Sequence, residues 1–499
     1  MDTISNLVLG ASVAFTGTNL LFAVAGTIVG MLVGVLPGLG PAAATALLLP
    51  LTFGLSPTGA IIMLAAIYYG SQFGGTITSV LLNVPGEASS AVTCLDGHPM
   101  AKQGRAGSAL TIAALGSVMG GVVATICLIV AAPFLTRVGL KLGPPEQFAL
   151  MVFALSLLLA LAGDSMIKAM IMGILGLLLG TIGLDPTEGF PRFTFGMSEL
   201  FDGLSFVPVV MGLFGLADIL ISIENRLALR NISRVESVLP TRSDLRRSVF
   251  PAVRGTVLGS LLGLVPGMMP SVSAFLSYAS ERALSKTPQE FGKGAVEGVA
   301  GPETANNAHA TAALIPLLSL GIPTTPTIAV ILGAFLAHGL IPGPLLFRDH
   351  PDVVWAVITS FFIGNVILLL WNIPFMRVWI AILKVPQDIM ACMIVVFMLI
   401  GCYAEANSLF GVAILLVSGV CGYVFKKLDF PVAPLILALV VGPLMERSLI
   451  QSLEMFNGRG LEILTRPVVI ALLVVALAAV GFILASRRSG ARFASDDGE

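Results

Sequence analysis

Charge is what this sequence has least of. Of its 499 residues only 11% are Asp, Glu, Lys or Arg, against roughly 25% in an ordinary soluble domain. A soluble chain of this length needs far more polar surface to cover its core, so a soluble enzyme, a nucleic-acid binder and a disordered or fibrous chain are all excluded. No Lys or Arg occurs before Lys102. Metal and thiol chemistry is as thinly represented. Cys94, Cys127, Cys392, Cys402 and Cys421 are scattered with no CxxC pair, which speaks against a disulfide framework or a thiolate metal site. His98, His309, His338 and His350 are isolated from one another and suggest no ligand cluster. No GxxxxGK[ST] phosphate loop is present, so any energy for work must come from an ion gradient or another subunit. The opening Met-Asp-Thr-Ile-Ser lacks the basic n-region of a cleaved signal peptide.

What the chain has instead is 56% hydrophobic residues, 54 Gly and 30 Pro, with a mean hydropathy of +0.97. Its apolar runs are continuous rather than alternating, which favours helices over a membrane β-barrel. The expected fold is an all-α polytopic membrane protein. With roughly 20 apolar residues per crossing, candidate spans fall at 18–36, 57–72, 107–135, 145–163, 165–184, 203–223, 250–266, 326–346, 352–375, 387–403, 406–425, 430–445 and 467–486. Segments near 41–53, 76–84, 270–280 and 305–319 are too short or too polar to cross alone. About ten to twelve crossings are expected, with broken or re-entrant pieces among them.

The few charges set orientation. Arg226, Arg230, Arg234, Arg242, Arg246, Arg247 and Arg254 crowd one stretch, and the positive-inside rule places that central loop, and the tail with Arg487, Arg488 and Arg492, in the cytoplasm. The segment 446–466, with Arg447, Arg459 and Arg466 among Glu446, Glu454 and Glu462, falls outside by parity. The chain then divides into a first transmembrane repeat (1–224), a basic loop (225–249), a second repeat (250–445), and a C-terminal helix and tail (446–499).

The repeat itself is visible in the sequence. Residues 30–41 and 259–270 share GxxxGxxPGxxP at an offset of 229 residues: Gly30/Gly259, Gly34/Gly263, Pro37/Pro266, Gly38/Gly267 and Pro41/Pro270. A small-and-polar segment follows each copy, Tyr69 to Thr78 and Gly301 to Thr311, and then a second break, Asn83-Val84-Pro85-Gly86 and Gly321-Ile322-Pro323-Thr324. The register drifts by several residues at that second break. Residues 52–60 carry no charge, whereas 281–293 carry Glu281, Arg282, Lys286, Glu290 and Lys293. If charge sets the side, the two copies are inverted, as in secondary transporters with a midplane site. Close helix packing alone would explain the GxxxG half of the motif, but not the Pro-Gly-x-x-Pro that follows.

Pro-Gly breaks a helix, and freed backbone groups are tolerable in lipid only where they line a protein cavity or bind something. A half-helix starting there presents N–H groups and a positive dipole end, which favours an anion by about 0.3–1 kcal/mol. Residues expected at such a site are Gly38, Gly40 and Gly267 of the motifs, Ser71, Thr76, Thr78, Asn83, Pro85 and Gly86 in the first half, and Asn306, Asn307, Pro323, Thr324 and Thr325 in the second. Ser79, Ser89, Ser90 and Thr304 add hydroxyls nearby. Each Ser or Thr taken singly is also explained by back-bonding to its own helix. Glu87 and Glu303 occupy comparable positions near the breaks and are candidates for ion coupling, by binding a cation or carrying a proton, with sodium conceivable at Asn306 and Asn307. Asp164 and Lys168 are spaced to pair with each other, and Asp218 is open between packing and function.

These motifs resemble the large permease subunit of the tripartite tricarboxylate transporter (TctA-like) family. The matching stretches are GVLPGLGPAAATALLLPLTFGLSP (34–57), residues 68–110 from YYGSQFGGTITS to GRAGSAL, PETANNAHATAALIPLLSLGIP (302–323) and HGLIPGPLLF (338–347), with Tyr278 and Phe291-Gly292-Lys293-Gly294 also in keeping. The likeness covers roughly residues 18–445. It implies a non-enzymatic, multi-pass protein of the bacterial inner membrane, a secondary importer of organic carboxylates coupled to sodium or protons and without other cofactors. It also implies two partners, a small transmembrane subunit and a periplasmic solute-binding protein. No nucleic-acid partner is expected, and a homo-oligomer is left open. Met268-Met269 and Thr324-Thr325-Pro326 depart from the family pattern at the expected cavity, which leaves the identity of the carboxylate open.

Overall fold

The computed structural model describes residues 3–36, 40–161, 165–185, 189–225, 239–375, 378–379, 387–406 and 408–488. Pro37, Gly38, Asp164, Arg226, Arg230, Arg234 and Arg492 therefore lie outside the described residues. Apart from a two-residue antiparallel pairing, Gly183–Leu184 with Pro191–Arg192, the described regular structure is helical. Among the described residues eight helices are long and apolar enough to cross a membrane, and six apolar helices of 10–17 residues are shorter. The chain is thus an all-α polytopic membrane protein in which many pieces are half-length.

The first half contains α1 (Thr3–Ala14), α2 (Gly17–Val35), α3 (Pro41–Leu48), α4 (Pro57–Leu82), α5 (Ala91–Lys102) and α6 (Ala106–Gly139). Next come α7 (Pro144–Leu161), α8 (Met166–Gly180), and α9 (Phe206–Val210) joined through a π-helical turn, Met211–Leu216, to α10 (Ala217–Asn225). The second half contains α11 (Arg242–Gly263), α12 (Pro270–Leu284), α13 (Glu297–Ala312), α14 (Leu314–Leu320), α15 (Pro326–Ala337), α16 (Pro344–Asp349) and α17 (Pro351–Asn372). The remaining helices are α18 (Gln387–Ala406), α19 (Leu409–Lys427), α20 (Val432–Met455) and α21 (Pro467–Arg488).

Two sequence expectations change here. Residues 76–84 are not a separate short piece: α4 runs unbroken for 26 residues, and almost every position in it is buried. Residues 305–319 likewise belong to the α13–α14 rod. Sequence hydropathy underrates both because they are core helices, shielded by protein rather than facing lipid, and so tolerate Gly, Ser, Thr and Asn.

The repeat is built on one contact used twice. In α2 a Cβ added to Gly26, Gly30 or Gly34 would lie 2.5, 2.5 or 2.1 Å from the carbonyl oxygens of Met63, Ile67 and Ser71 in α4. In α11 the same addition to Gly255, Gly259 or Gly263 would lie 2.3, 2.1 or 2.6 Å from the carbonyls of Gly301, Ala305 and His309 in α13. Only glycine permits backbones this close, which is the small-residue packing of membrane helices. The glycines pair at an offset of 229, but their partners Met63/Gly301, Ile67/Ala305 and Ser71/His309 pair at 238. The extra nine residues fall between Pro270 and Gly301, where α12 is longer than α3 and a charged loop follows it.

The second breaks then come into register at 238. Asn83 ends α4 in the left-handed region (φ 59°) and Gly321 ends α14 likewise (φ 73°). Pro85 matches Pro323. Glu87 caps the 3-10 turn Ala88–Ser90 before α5, and its counterpart Thr325 caps α15, its hydroxyl accepting from Ile328 N–H at 3.3 Å.

The two halves run in opposite directions. Thr76, six residues before the end of α4, meets Glu303, six residues after the start of α13. The short helix α15, 12 residues or about 18 Å long, links the end of α14 back to the start of α4, where His338 bonds Thr52 at 3.2 Å. Only antiparallel α4 and α13 satisfy both contacts. The post-break helices are exchanged between halves: α15 lies along α4, and α5 lies along α13.

Candidate functional site

The exchange brings the first break against the middle of α13. Glu303 of α13 receives Thr76 Oγ1 from α4 at 2.8 Å and Thr93 Oγ1 from α5 at 2.5 Å. Glu87, in the first break, accepts from Asn306 Nδ2 of α13 at 3.2 Å and from the Ser89 hydroxyl. The Gln72 amide lies against both Glu87 carboxylate oxygens, which turns its NH2 toward them. Ser90 Oγ accepts from Glu87 N–H at 3.3 Å and from Ser79 Oγ at 2.9 Å, fixing the turn. Both carboxylates are buried, and among the described residues neither forms an ion pair. The centre is therefore two acids in a shell of neutral donors, one acid contributed by each repeat.

The two acids are not equivalent by repeat. At offset 238 Glu87 matches Thr325 and Glu303 matches Ala65, so the expectation of comparable positions is corrected. They converge because α5 is exchanged onto α13, a tertiary event with no local signal.

The other expected residues divide. Asn307 Nδ2 donates to Ser117 Oγ of α6 at 2.7 Å and to the Glu303 carbonyl at 3.1 Å, so it belongs to the centre. Thr78 donates to Gly75 O and Ser71 to Tyr68 O, which is helix back-bonding. Gly86 is buried, and a Cβ there would lie 2.2 Å from Gly34 O. Asn83 and Pro85 are exposed and serve to end α4. Gly40 caps α3. Gly267 (φ 86°) donates its N–H to Thr324 O at 2.9 Å, joining the tip of the α11–α12 hairpin to the second break, where Pro323, Thr324 and Thr325 are buried. Asp218 pairs with Lys426, and Lys168 donates to Leu428 O at 2.7 Å.

Sequence reasoning missed Gln72, Thr93 and Ser117, which complete the shell, and Asp96, which holds it in place. Buried Asp96 accepts from Gly294 N–H and Ala295 N–H at 2.8 Å each and from Tyr278 Oη at 3.0 Å, so it anchors α5 at the start of α13. One signal was available: Asp96 and Glu87 are the only acids after Asp2 in the first 101 residues, and isolated acids in an apolar stretch demand partners. His309, isolated in sequence from the other histidines, shares a hydrogen bond through Nδ1 with Ser273 Oγ at 2.7 Å.

Residues 20–437 match the profile of the Tripartite tricarboxylate transporter TctA family. The chain is 46% identical over 481 residues, 96% of each chain, to an uncharacterized 52.8 kDa protein in the TAR-I ttuC' 3' region of Agrobacterium vitis. It is 43% identical over 209 residues, 42% of this chain and 86% of the other, to an uncharacterized protein in the TAR-II ttuC' 3' region of the same organism. No solved structure matches. By the extent of that profile match, the chain belongs to the tripartite tricarboxylate transporter TctA family.

Proposed function

We propose that this protein is the large membrane subunit of a binding-protein-dependent secondary importer, which moves an organic carboxylate across the bacterial inner membrane on a sodium or proton gradient. A small transmembrane subunit and a periplasmic solute-binding protein complete the system, and the central loop and C-terminus face the cytoplasm. The observation that carries this reading is the Glu87–Glu303 centre at the junction of two antiparallel repeats. A carboxylate substrate is repelled by two acids until protons or sodium offset their charge, which couples cation loading to anion entry. The neutral donors Thr76, Thr93, Asn306 and Gln72 can hold either acid through such a cycle without a competing fixed cation. None of this calls for bond-making chemistry in the chain.

Reconstitution tests it. Purified protein with both partners in proteoliposomes is expected to take up labelled carboxylate only with the cognate binding protein and an inward sodium or proton gradient. Non-saturating flux without either requirement overturns the proposal in favour of a passive channel.

A further inference from the structure

We infer that the cavity between the basic end of α11 and the loop after α12 binds the phosphate headgroup of an anionic phospholipid. The cavity has a volume of about 420 Å³ and lies away from the two-acid centre. Its walls hold four basic side chains and three acidic ones. The acids are already engaged: Glu281 with Arg254 at 2.5 Å, Glu290 with Arg247 at 2.7 Å, and Glu297 with Arg247 at 2.7 Å. Arg246, on α11, and Lys286, in the loop after α12, form no such pair among the described residues. The lining as a whole keeps one positive charge, which one phosphodiester neutralises.

The surroundings specify a lipid rather than a free ion. Below the cavity α11 presents a stripe of outward apolar side chains, Phe250, Val253, Val257 and Leu261, between 47% and 70% exposed. Their spacing of three, four and four residues puts them on one helix face. That face continues directly from the charged lining, so a headgroup held by Arg246 and Lys286 lays its acyl chains along the stripe. The hydroxyls of Ser285 and Thr287 line the same cavity and supply neutral donors. Basic residues beside an apolar helix face at a membrane surface attract anionic lipid, and a walled site adds selectivity to that general attraction.

The test uses the full chain, with its partner subunits where they co-purify, in vesicles of phosphatidylcholine alone or mixed with phosphatidylglycerol. After extraction, retained lipid is counted by native mass spectrometry. Phosphatidylglycerol is expected to be retained over phosphatidylcholine, and R246Q/K286Q is expected to retain roughly tenfold less of it. The control R242Q/R282Q removes the same charge from exposed positions outside the cavity and is expected to retain it. Equal loss in both double variants reduces the effect to bulk surface charge and overturns the site. Displacement of the lipid by millimolar glycerol phosphate or inorganic phosphate identifies a free-phosphate site instead and overturns the lipid assignment. Displacement by the small transmembrane subunit assigns the face to protein and does the same. Lys286 lies outside every helix, so K286Q alone serves if the double variant does not fold.

Discussion

The two hairpins that open the repeats, α2–α3 and α11–α12, share a glycine ladder and differ in nearly everything around it. The first contains no charged residue from Gly17 to Ser56. The second is laced at its basic end by Arg247 with Glu290 and Glu297, by Arg254 with buried Glu281, and by Arg105 with Asp244. What is repeated is the backbone approach; what is free to vary is the means of holding each hairpin to its neighbours. Among the described residues the uncharged hairpin is held by packing and by one neutral bond to α1, from Asn19 Nδ2 to Val13 O at 2.9 Å. The charged one adds a collar of ion pairs at its open end while its tip, Gly267, touches the second break.

The harshest challenge to this comparison is the ladder itself. Gly34→Leu and Gly259→Leu each drive a Cβ to within 2.1 Å of a carbonyl oxygen on a rigid helix, and overpacking of that kind costs about 3 kcal/mol or more. Both are expected to lose nearly all monodisperse protein on size-exclusion chromatography, while Gly54→Ala, with open space around it, is expected to behave as wild type. Survival of one leucine variant would show that one hairpin alone depends on the contact. Next come the acids. Glu303→Gln, at a carboxylate held by Thr76 of α4 and by Thr93 of the exchanged α5, is expected to cut gradient-driven uptake about a hundredfold. Glu87→Gln is expected to cut it about tenfold. Equal losses would place the two acids in one role.

A smaller effect separates the hairpins by pH. Burial pushes the Asp244 carboxyl up, but the Thr241 and Ser108 hydroxyls and Arg105 outweigh it and hold the group below the usual carboxylate range. A lowered folded value gives stability that is fully present above about pH 4 and is lost as pH falls through the folded value. Asp244→Asn is expected to cost about 1 kcal/mol at neutral pH through the broken capping box, and to flatten the fall in thermal midpoint below pH 4. An unchanged acid profile would remove Asp244 from the collar. The smallest effects are expected at the paired helix ends. Asn83→Gly keeps a left-handed position open and should shift stability by a few tenths of a kcal/mol. Gly321→Asn should cost more, because its Cβ would lie 2.6 Å from Pro342 O. A reversal of that order in thermal midpoints would undo the pairing of the two breaks.

Local features were readable from the chain: Gly and Pro spacing marks the ladder and both breaks, and acids stranded in apolar sequence mark Glu87 and Glu303. The drift in register at the second break was readable only as a puzzle, because the nine additional residues hide in α12 and its loop. Residues 76–84 misled because a helix wrapped in protein does not need lipid-grade hydropathy. Thr93, Ser117 and Asp96 could not be placed because their partners lie some two hundred residues away and meet them only once α5 and α6 pack against the second half.

That exchange bears on how the molecule is made. When α5 enters the membrane, the partners of Asp96 and Thr93, from Tyr278 to Glu303, are still to be synthesised. At about 5–20 residues per second the wait is roughly ten to forty seconds. Through that interval the nascent first half holds two acids, Glu87 and Asp96, with their cross-repeat bonds unmade. It is a repeat without being a folding unit, and a chain released before residue 303 would present the membrane's quality-control machinery with exposed carboxylates as the mark of an unfinished product.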